Sequence, residues 1–295
     1  MAPWIAYALA AAVLVAVVNV IDKTVLSKWM ARPSGSFFAF GAIETLVGAT
    51  ALLALGIPRL PPAVLALALA TGAAYAAATF GYFRAMKVEE ASRVAPLYSL
   101  VPLATAMLAA VFLGEVFAPD RYFGVALLML GALLLSLKRV RGWRFSKGVA
   151  WMLFGVLCIA ASSVVSKHLL GTIDPWTLFA YNKLGVAFVA LPAAFAGAPA
   201  YLQAVRRHGR RVAAWTAASE GLTSIVTIFF LFAASTGYVT LVNALIGTGP
   251  FFLLLFTSLL SVYRPDILKE ELDAGLLARK VVGIACLFAG AVLIA

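Results

Sequence analysis

Charge is scarce in this chain. Only 12% of its 295 residues are Asp, Glu, Lys or Arg, against about a quarter in an ordinary soluble domain. A soluble fold of this length would bury a good core, but its surface would then be far too apolar. Cysteine is scarcer still: Cys158 and Cys286 both fall inside apolar runs, without ligand-spaced His or Cys partners. They read as packing residues, not as a disulfide framework or a metal site. The two histidines, His168 and His208, form no HExxH pattern, no nucleophile–base pair is evident, and no GxxxxGK[ST] loop is present. Metal chemistry, enzymatic chemistry and ATP hydrolysis by this chain are therefore not expected, and no cofactor is implied. Acidic residues number 12 against 23 basic ones, a net charge of +11. The basic residues sit in short clusters between apolar runs, as at 138–147 and 206–211. Such clusters read as topology signals beside anionic lipid, not as a nucleic-acid surface. The N-terminus (Met1-Ala-Pro-Trp4) has no basic n-region and leads into a long unbroken apolar run, unlike a cleaved signal peptide.

What is present is apolar residue, 64% of the chain, with a mean hydropathy of +1.02. The runs recur along the whole length at spacings that fit a hydrocarbon core of about 30 Å crossed at about 1.5 Å per residue. Punctuation by polar residues, Pro and Gly divides them into ten: 4–26, 36–56, 63–84, 94–112, 121–137, 148–169, 176–196, 212–233, 239–262 and 278–295. Backbone in lipid must satisfy its own hydrogen bonds, and the period-two alternation of a barrel is missing, so these are expected as helices. The predicted fold is all-α, integral and multi-pass.

Seventeen of the 23 Lys and Arg fall in the connections after spans one, three, five, seven and nine. The positive-inside rule puts those connections in the cytoplasm and both termini outside. The two halves of the chain also resemble each other. A shift of 148 lays Tyr82-Phe83-Arg84-Ala85 on Phe230-Leu231-Phe232-Ala233 and Pro102 on Pro250. Gly124 and Gly131 recur as Gly283 and Gly290, and Asn19, Asp22 and Lys23 match Ser163, Ser166 and Lys167. This predicts two five-helix repeats, 1–140 and 148–295, joined by a basic linker at 141–147. Five is odd, so the second repeat enters the membrane inverted, an arrangement that places a site near the midplane at the repeat interface. Duplication for stability alone is the plainer explanation.

The stretch Ala91-Ser92-Arg93-Val94-Ala95-Pro96-Leu97-Tyr98-Ser99-Leu100-Val101-Pro102 leads on to Leu113-Gly114-Glu115, Gly124 and Gly131. It resembles the ten-span EamA-type members of the drug/metabolite transporter superfamily. The resemblance implies export of a metabolite or amino acid, organic-cation efflux or exchange, in a bacterial inner (plasma) membrane. It also implies cytoplasmic termini, opposite to the charge reading. The second half departs from the pattern, with Lys269-Glu270-Glu271-Leu272 in place of L-G-E. Glu115 is expected to cap or pack a loop.

Ionisable groups at membrane depth are costly and usually face a bundle interior or a wet cavity. Glu44, near the middle of span two, reads as a proton- or cation-binding carboxylate or as a structural acid with a neutralising neighbour. Glu220 lies above Thr223, Ser224 and Thr227 in span eight. Desolvation favours the neutral form of a carboxylate, so both acids are candidates for proton loading. Lys183, beside Tyr181 and Asn182, is placed either to hold a substrate carboxylate or to pair with Glu44 or Glu220. Asn19, Asp22 and Lys23 share one face of span one; Asp22 is the gating candidate and Lys23 a snorkelling one. Tyr75, Thr79 and Tyr82 line one side of span three and match Thr223, Thr227 and Phe230. Such stripes pack or line a cavity. Pro102 and Pro250 are read as matched hinges deep in their spans, with Gly249 beside the second and Asn243 one turn earlier.

The function expected is a secondary transporter of a small polar or amphipathic metabolite, working by alternating access with proton coupling or exchange. The alternative is a non-transporting structural or lipid-binding membrane subunit, which would tolerate neutralising Glu44 and Glu220 together. Partners are a small solute and the bilayer; an oligomer is possible but nothing in the sequence indicates one.

Overall fold

The computed structural model describes residues 2–30, 33–56, 58–88, 95–136, 146–263 and 274–294. Among them every regular element is a helix: α1 (Pro3–Lys28), α2 (Pro33–Leu55), α3 (Pro62–Val88), a 3-10 helix (Ala95–Leu100), α4 (Val101–Leu113), α5 (Pro119–Ser136), α6 (Lys147–Leu169), α7 (Pro175–Gly185), α8 (Ala187–His208), α9 (Arg210–Thr236), α10 (Val239–Ile246), α11 (Gly249–Tyr263) and α12 (Ala274–Ile294). Five of these open on proline, at Pro3, Pro33, Pro62, Pro119 and Pro175. At that position the missing N–H is one of the helix's unpaired donors anyway and φ is already helical. Among the described residues eight helical segments are long and apolar enough to cross a bilayer, or nine if one bent pair counts as a single span. The chain is an integral, multi-pass membrane protein. Its outer surface is greasy, with Val111, Val292 and Leu53 each more than 70% exposed.

Three expected spans are not continuous helices. The run 94–112 is a 3-10 turn followed by α4, and 239–262 is α10 and α11 separated at Gly247 and Thr248. Pro102 and Pro250 therefore stand at the second residue of a new helix, not deep within one. Proline cannot donate to a preceding turn, so the helix restarts at it. Span seven continues from α7 into the start of α8 and then bends by 96° within α8, between the segments Pro175–Pro192 and Gly197–His208. Arg206, Arg207 and His208 of the basic run after span seven, read as loop, are thus helical; Gly209, at φ 73°, separates them from α9, which begins with Arg210 and Arg211. Arg279 and Lys280 fall inside α12. Most of the 141–147 linker, Ser92, Arg93 and the 269–272 segment lie outside the described residues.

Bare backbone is what lets these helices approach. Lipid tails offer no hydrophobic drive between helices, so close packing of small residues takes its place. A Cβ on Gly72 would sit 1.7 Å from the Asn182 carbonyl oxygen, seating α3 on α7. On α5 and α12, a Cβ on Gly131 would meet the Gly283 carbonyl at 2.6 Å, and one on Gly290 the Gly124 carbonyl at 2.7 Å. The glycine-spaced helices pack on each other within the chain. The other main packings are α3 on α6, α1 on α9, and α2 on both α7 and α8.

Candidate functional site

The middle of the bundle is polar. Glu44, halfway along α2, and Lys183, on α7, are both 0% exposed and form an ion pair. Of the partners the sequence left open for Lys183, the fold selects Glu44. Helix α9 supplies the rest of the shell. The Ser224 hydroxyl donates to Glu44 Oε1 at 3.0 Å, and Lys183 Nζ donates to Thr227 Oγ1 at 2.9 Å. The Thr227 hydroxyl proton is itself committed to the Thr223 carbonyl at 3.0 Å, so its lone pairs are what Lys183 meets. Two aromatic faces complete the seat: the ammonium lies 5.7 Å from the Tyr75 ring centre and 5.5 Å from that of Phe179. Cation–π attraction of this kind gains strength when water is excluded.

Two further carboxylates stand nearby. The Ser219 hydroxyl donates to Asp22 on α1. Half-buried Glu220 is close enough to Glu44, Asp22 and Lys183 to feel their charges. Tyr75 in turn senses Glu44, Glu220, Asp22 and the hydroxyl of Tyr98, and Tyr82 senses Asp22. From Ser219 to Thr227 these groups follow α9 for about 12 Å, at 1.5 Å per residue. Asp22 lies at the end of this column nearer the α1 C-terminus, where Lys23 and Asn19 are exposed. Tyr98, on the 3-10 helix, is 43% exposed there.

The other expected site residues fall at joints between helices. Asn182 Nδ2 donates to Thr71 Oγ1 at 2.9 Å, and the Ser162 hydroxyl donates to the Thr71 carbonyl at 2.8 Å, tying α3, α6 and α7 together. Tyr181 turns away from the ion pair and donates to the Pro58 carbonyl at 2.8 Å. Asn243 Nδ2 donates to Thr105 Oγ1 at 3.2 Å, bridging α10 to α4. The Thr79 hydroxyl is spent on the Tyr75 carbonyl at 3.0 Å. Gly249 is buried against α1, where a Cβ would meet Val15 at 3.5 Å; Pro250 beside it is half-buried and Pro102 buried. Ser219 and Tyr98 were not singled out in the sequence. Ser219 carried a signal, standing four and eight residues before Thr223 and Thr227 on one helical face; Tyr98 carried none, because the 3-10 turn sets its direction.

The opposite end of the bundle is sealed by charge. Glu115 is 6% exposed and accepts from the backbone N–H of Val239 at 3.1 Å and of Thr240 at 3.4 Å, and from the Thr240 hydroxyl at 3.2 Å. It caps α10, as the capping expectation had it. Lys167 Nζ donates to the carbonyls of Ala234 at 2.8 Å and Gly237 at 2.9 Å, the C-terminus of α9. An anion at a helix start and a cation at a helix end both complement the backbone dipole. A groove of about 380 Å³ between the 3-10 helix, α4 and α5 is lined by Leu100, Leu103, Leu130 and other mostly apolar side chains.

Residues 2–137 match the EamA-like transporter family. A Sinorhizobium sp. protein described as an uncharacterized transporter in the cobO 3′ region is 46% identical over 68 residues. That match spans 23% of this chain and 45% of the relative's length. A protein of known crystal structure superposes with a TM-score of 0.75 over 98% of this chain and 95% of its own, at 21% identity, which speaks to the fold alone. By its N-terminal part, just under half of the chain, the protein is similar to the EamA-like transporter family.

Proposed function

We propose that this chain is a ten-span secondary transporter of a small polar metabolite, acting by alternating access in a bacterial inner membrane. The observation that carries the reading is the buried Glu44–Lys183 pair. It joins α2 of the first half to α7 of the second at mid-depth, where a structural protein gains nothing from two desolvated charges. A buried pair of this kind is weak evidence for stability, because desolvation offsets much of its attraction.

The packing supports two inverted repeats, 1–140 and 148–295. If α1 to α5 correspond to α6, the α7–α8 pair, α9, the α10–α11 pair and α12, then α3 on α6 is the counterpart of α1 on α9. The contacts α5 on α12 and α2 on the α7–α8 pair are their own counterparts. The glycine contacts obey the same operation, since Gly124 meets Gly290 where Gly131 meets Gly283. Helix α12, 21 residues long, would be the tenth span. The polar column leading from Asp22 to the pair serves as the access path, and Pro102 and Pro250, where helices restart, are the bending points. Carboxylates Glu44 and Glu220 carry either a proton or the substrate.

The test is purified protein in liposomes with a trapped pH dye, given pools of organic cations, amino acids and anionic metabolites, beside Glu44→Gln and Glu220→Gln. Solute-dependent proton flux, or solute counterflow without it, that the variants lose supports the reading. Wild-type protein that is folded yet inactive with every pool, with both variants indistinguishable from it, overturns transport in favour of a structural subunit.

A further inference from the structure

We infer that the transported solute carries an ammonium or guanidinium group, and that Lys183 is a tethered substitute for that group in the empty carrier. The inference rests on the transport reading above.

The site already holds an ammonium and so displays the chemistry it recognises. The Lys183 head is seated against a carboxylate, a hydroxyl whose proton points elsewhere, and the faces of two aromatic rings. Every one of these groups prefers a cation. The local charge points the same way. Glu44 pairs with Lys183, and Glu220 on α9 lies near enough to Glu44, Asp22 and Lys183 to interact with their charges. Glu44 is neutralised by Lys183, while Asp22 has the Ser219 hydroxyl as its hydrogen-bond partner. A cationic solute finds carboxyl oxygens along this column, whereas an anionic one meets groups that repel it when ionised.

Displacement follows from the tether. An incoming ammonium that reaches Glu44 takes the place of Lys183, and Glu220 on the neighbouring helix offers the displaced lysine a second carboxylate. When the solute leaves, Lys183 returns to Glu44. The empty carrier therefore never presents Glu44 as a bare buried carboxylate, a state too costly to pass through the closed intermediate. Net movement is then possible without obligatory exchange.

The experiment compares three solutes of similar length and different charge in proteoliposomes: agmatine, 4-aminobutyrate and glutarate. Counterflow and net efflux are measured for wild type and for Lys183→Gln. Agmatine is expected to move by both modes and glutarate by neither. In Lys183→Gln, agmatine counterflow persists while net efflux falls by about tenfold or more, because only the loaded carrier crosses readily. A second measurement uses the wild type alone: acetylation of Lys183 by acetic anhydride, read by mass spectrometry, rises with agmatine and not with glutarate. It decides the matter if Lys183→Gln fails to fold. Glutarate transport that needs Lys183 overturns the inference by making the lysine a ligand of substrate carboxylate, and leaves transport standing. Equal loss of both modes in folded Lys183→Gln, unchanged net efflux, or Lys183 acetylation indifferent to agmatine also overturns it. Failure of all three solutes in wild type removes the transport reading as well.

Discussion

Replacing Glu115 by alanine removes the cap of α10 without touching the ion-pair region. The wild-type carboxylate accepts two backbone N–H groups and one hydroxyl from Val239 and Thr240, all buried. Losing an N-cap side chain costs about 0.5–2 kcal/mol. Stranding a buried donor adds about 1–3 kcal/mol. The two overlap, since one of the amides is the capped one, so a total of about 3 kcal/mol is expected. Lys167 also loses its nearby acid, although its own bonds to Ala234 and Gly237 remain. At about 2 °C per kcal/mol for a chain of this size, the melting midpoint in detergent should fall by about 6 °C. Glu115→Gln keeps an acceptor and should lose about half as much. Melting is followed by intrinsic tryptophan fluorescence, with ligand-free protein at pH 7. An alanine variant that melts with the wild type would refute the capping account. Transport abolished with the midpoint unchanged would refute it too, by giving Glu115 a role in the cycle instead.

Gly131→Ala pushes a methyl to 2.6 Å from the Gly283 carbonyl and should destabilise by about 1–3 kcal/mol. Gly221→Ala, where nothing lies within 4 Å, should be neutral or stabilising by about 0.5–1 kcal/mol in the same melting assay. Thr71→Val strands the Asn182 amide and should cost about 1–3 kcal/mol, whereas a paired Thr71→Val, Asn182→Leu exchange should recover part of it. Asp174 caps α7 through the N–H groups of Trp176 and Thr177 at 2.9 and 3.0 Å. Burial pushes its carboxyl up, but the hydrogen bonds from Thr177 and Trp176 outweigh that and hold it below the usual aspartate range. Its contribution is therefore complete at neutral pH and is lost as pH falls below about 4. Asp174→Ala should cost about 1 kcal/mol at pH 7 and markedly less at pH 3, read from melting at both.

Much of this architecture was written in one dimension. Apolar runs about twenty residues long permit only helices in lipid, because a backbone that water cannot reach must bond to itself. Matched prolines and glycines in the two halves were legible there. So were the acids: a carboxylate such as Glu44 in the middle of an apolar run is too costly to be incidental, and the L-G-E turn gave Glu115 its capping role. What the sequence did not contain was direction. Pro102 and Pro250 were visible, but only the fold decided that helices restart there rather than bend. The polarity of 206–211 was plain, yet a helix laid at right angles to a span has the same composition as a loop.

The partner of Lys183 illustrates the limit best. Span seven offered a lysine, and spans two and eight each offered a glutamate; nothing in the order of residues distinguishes one pairing from the other. The choice was made by backbone contact, where Gly48 lets α2 close on α7 beside Lys183 and Leu184 and brings Glu44 within reach first. Tyr181 and Asn182, its chain neighbours, are carried by the same helix to different joints, because successive side chains on a helix point about 100° apart. The sequence alone determined that buried charge exists here and in which helices, since solvation energy depends on composition and depth. Which charges touch, and which do not, depended on the packing of helices far apart in the chain, and that only the tertiary structure decided.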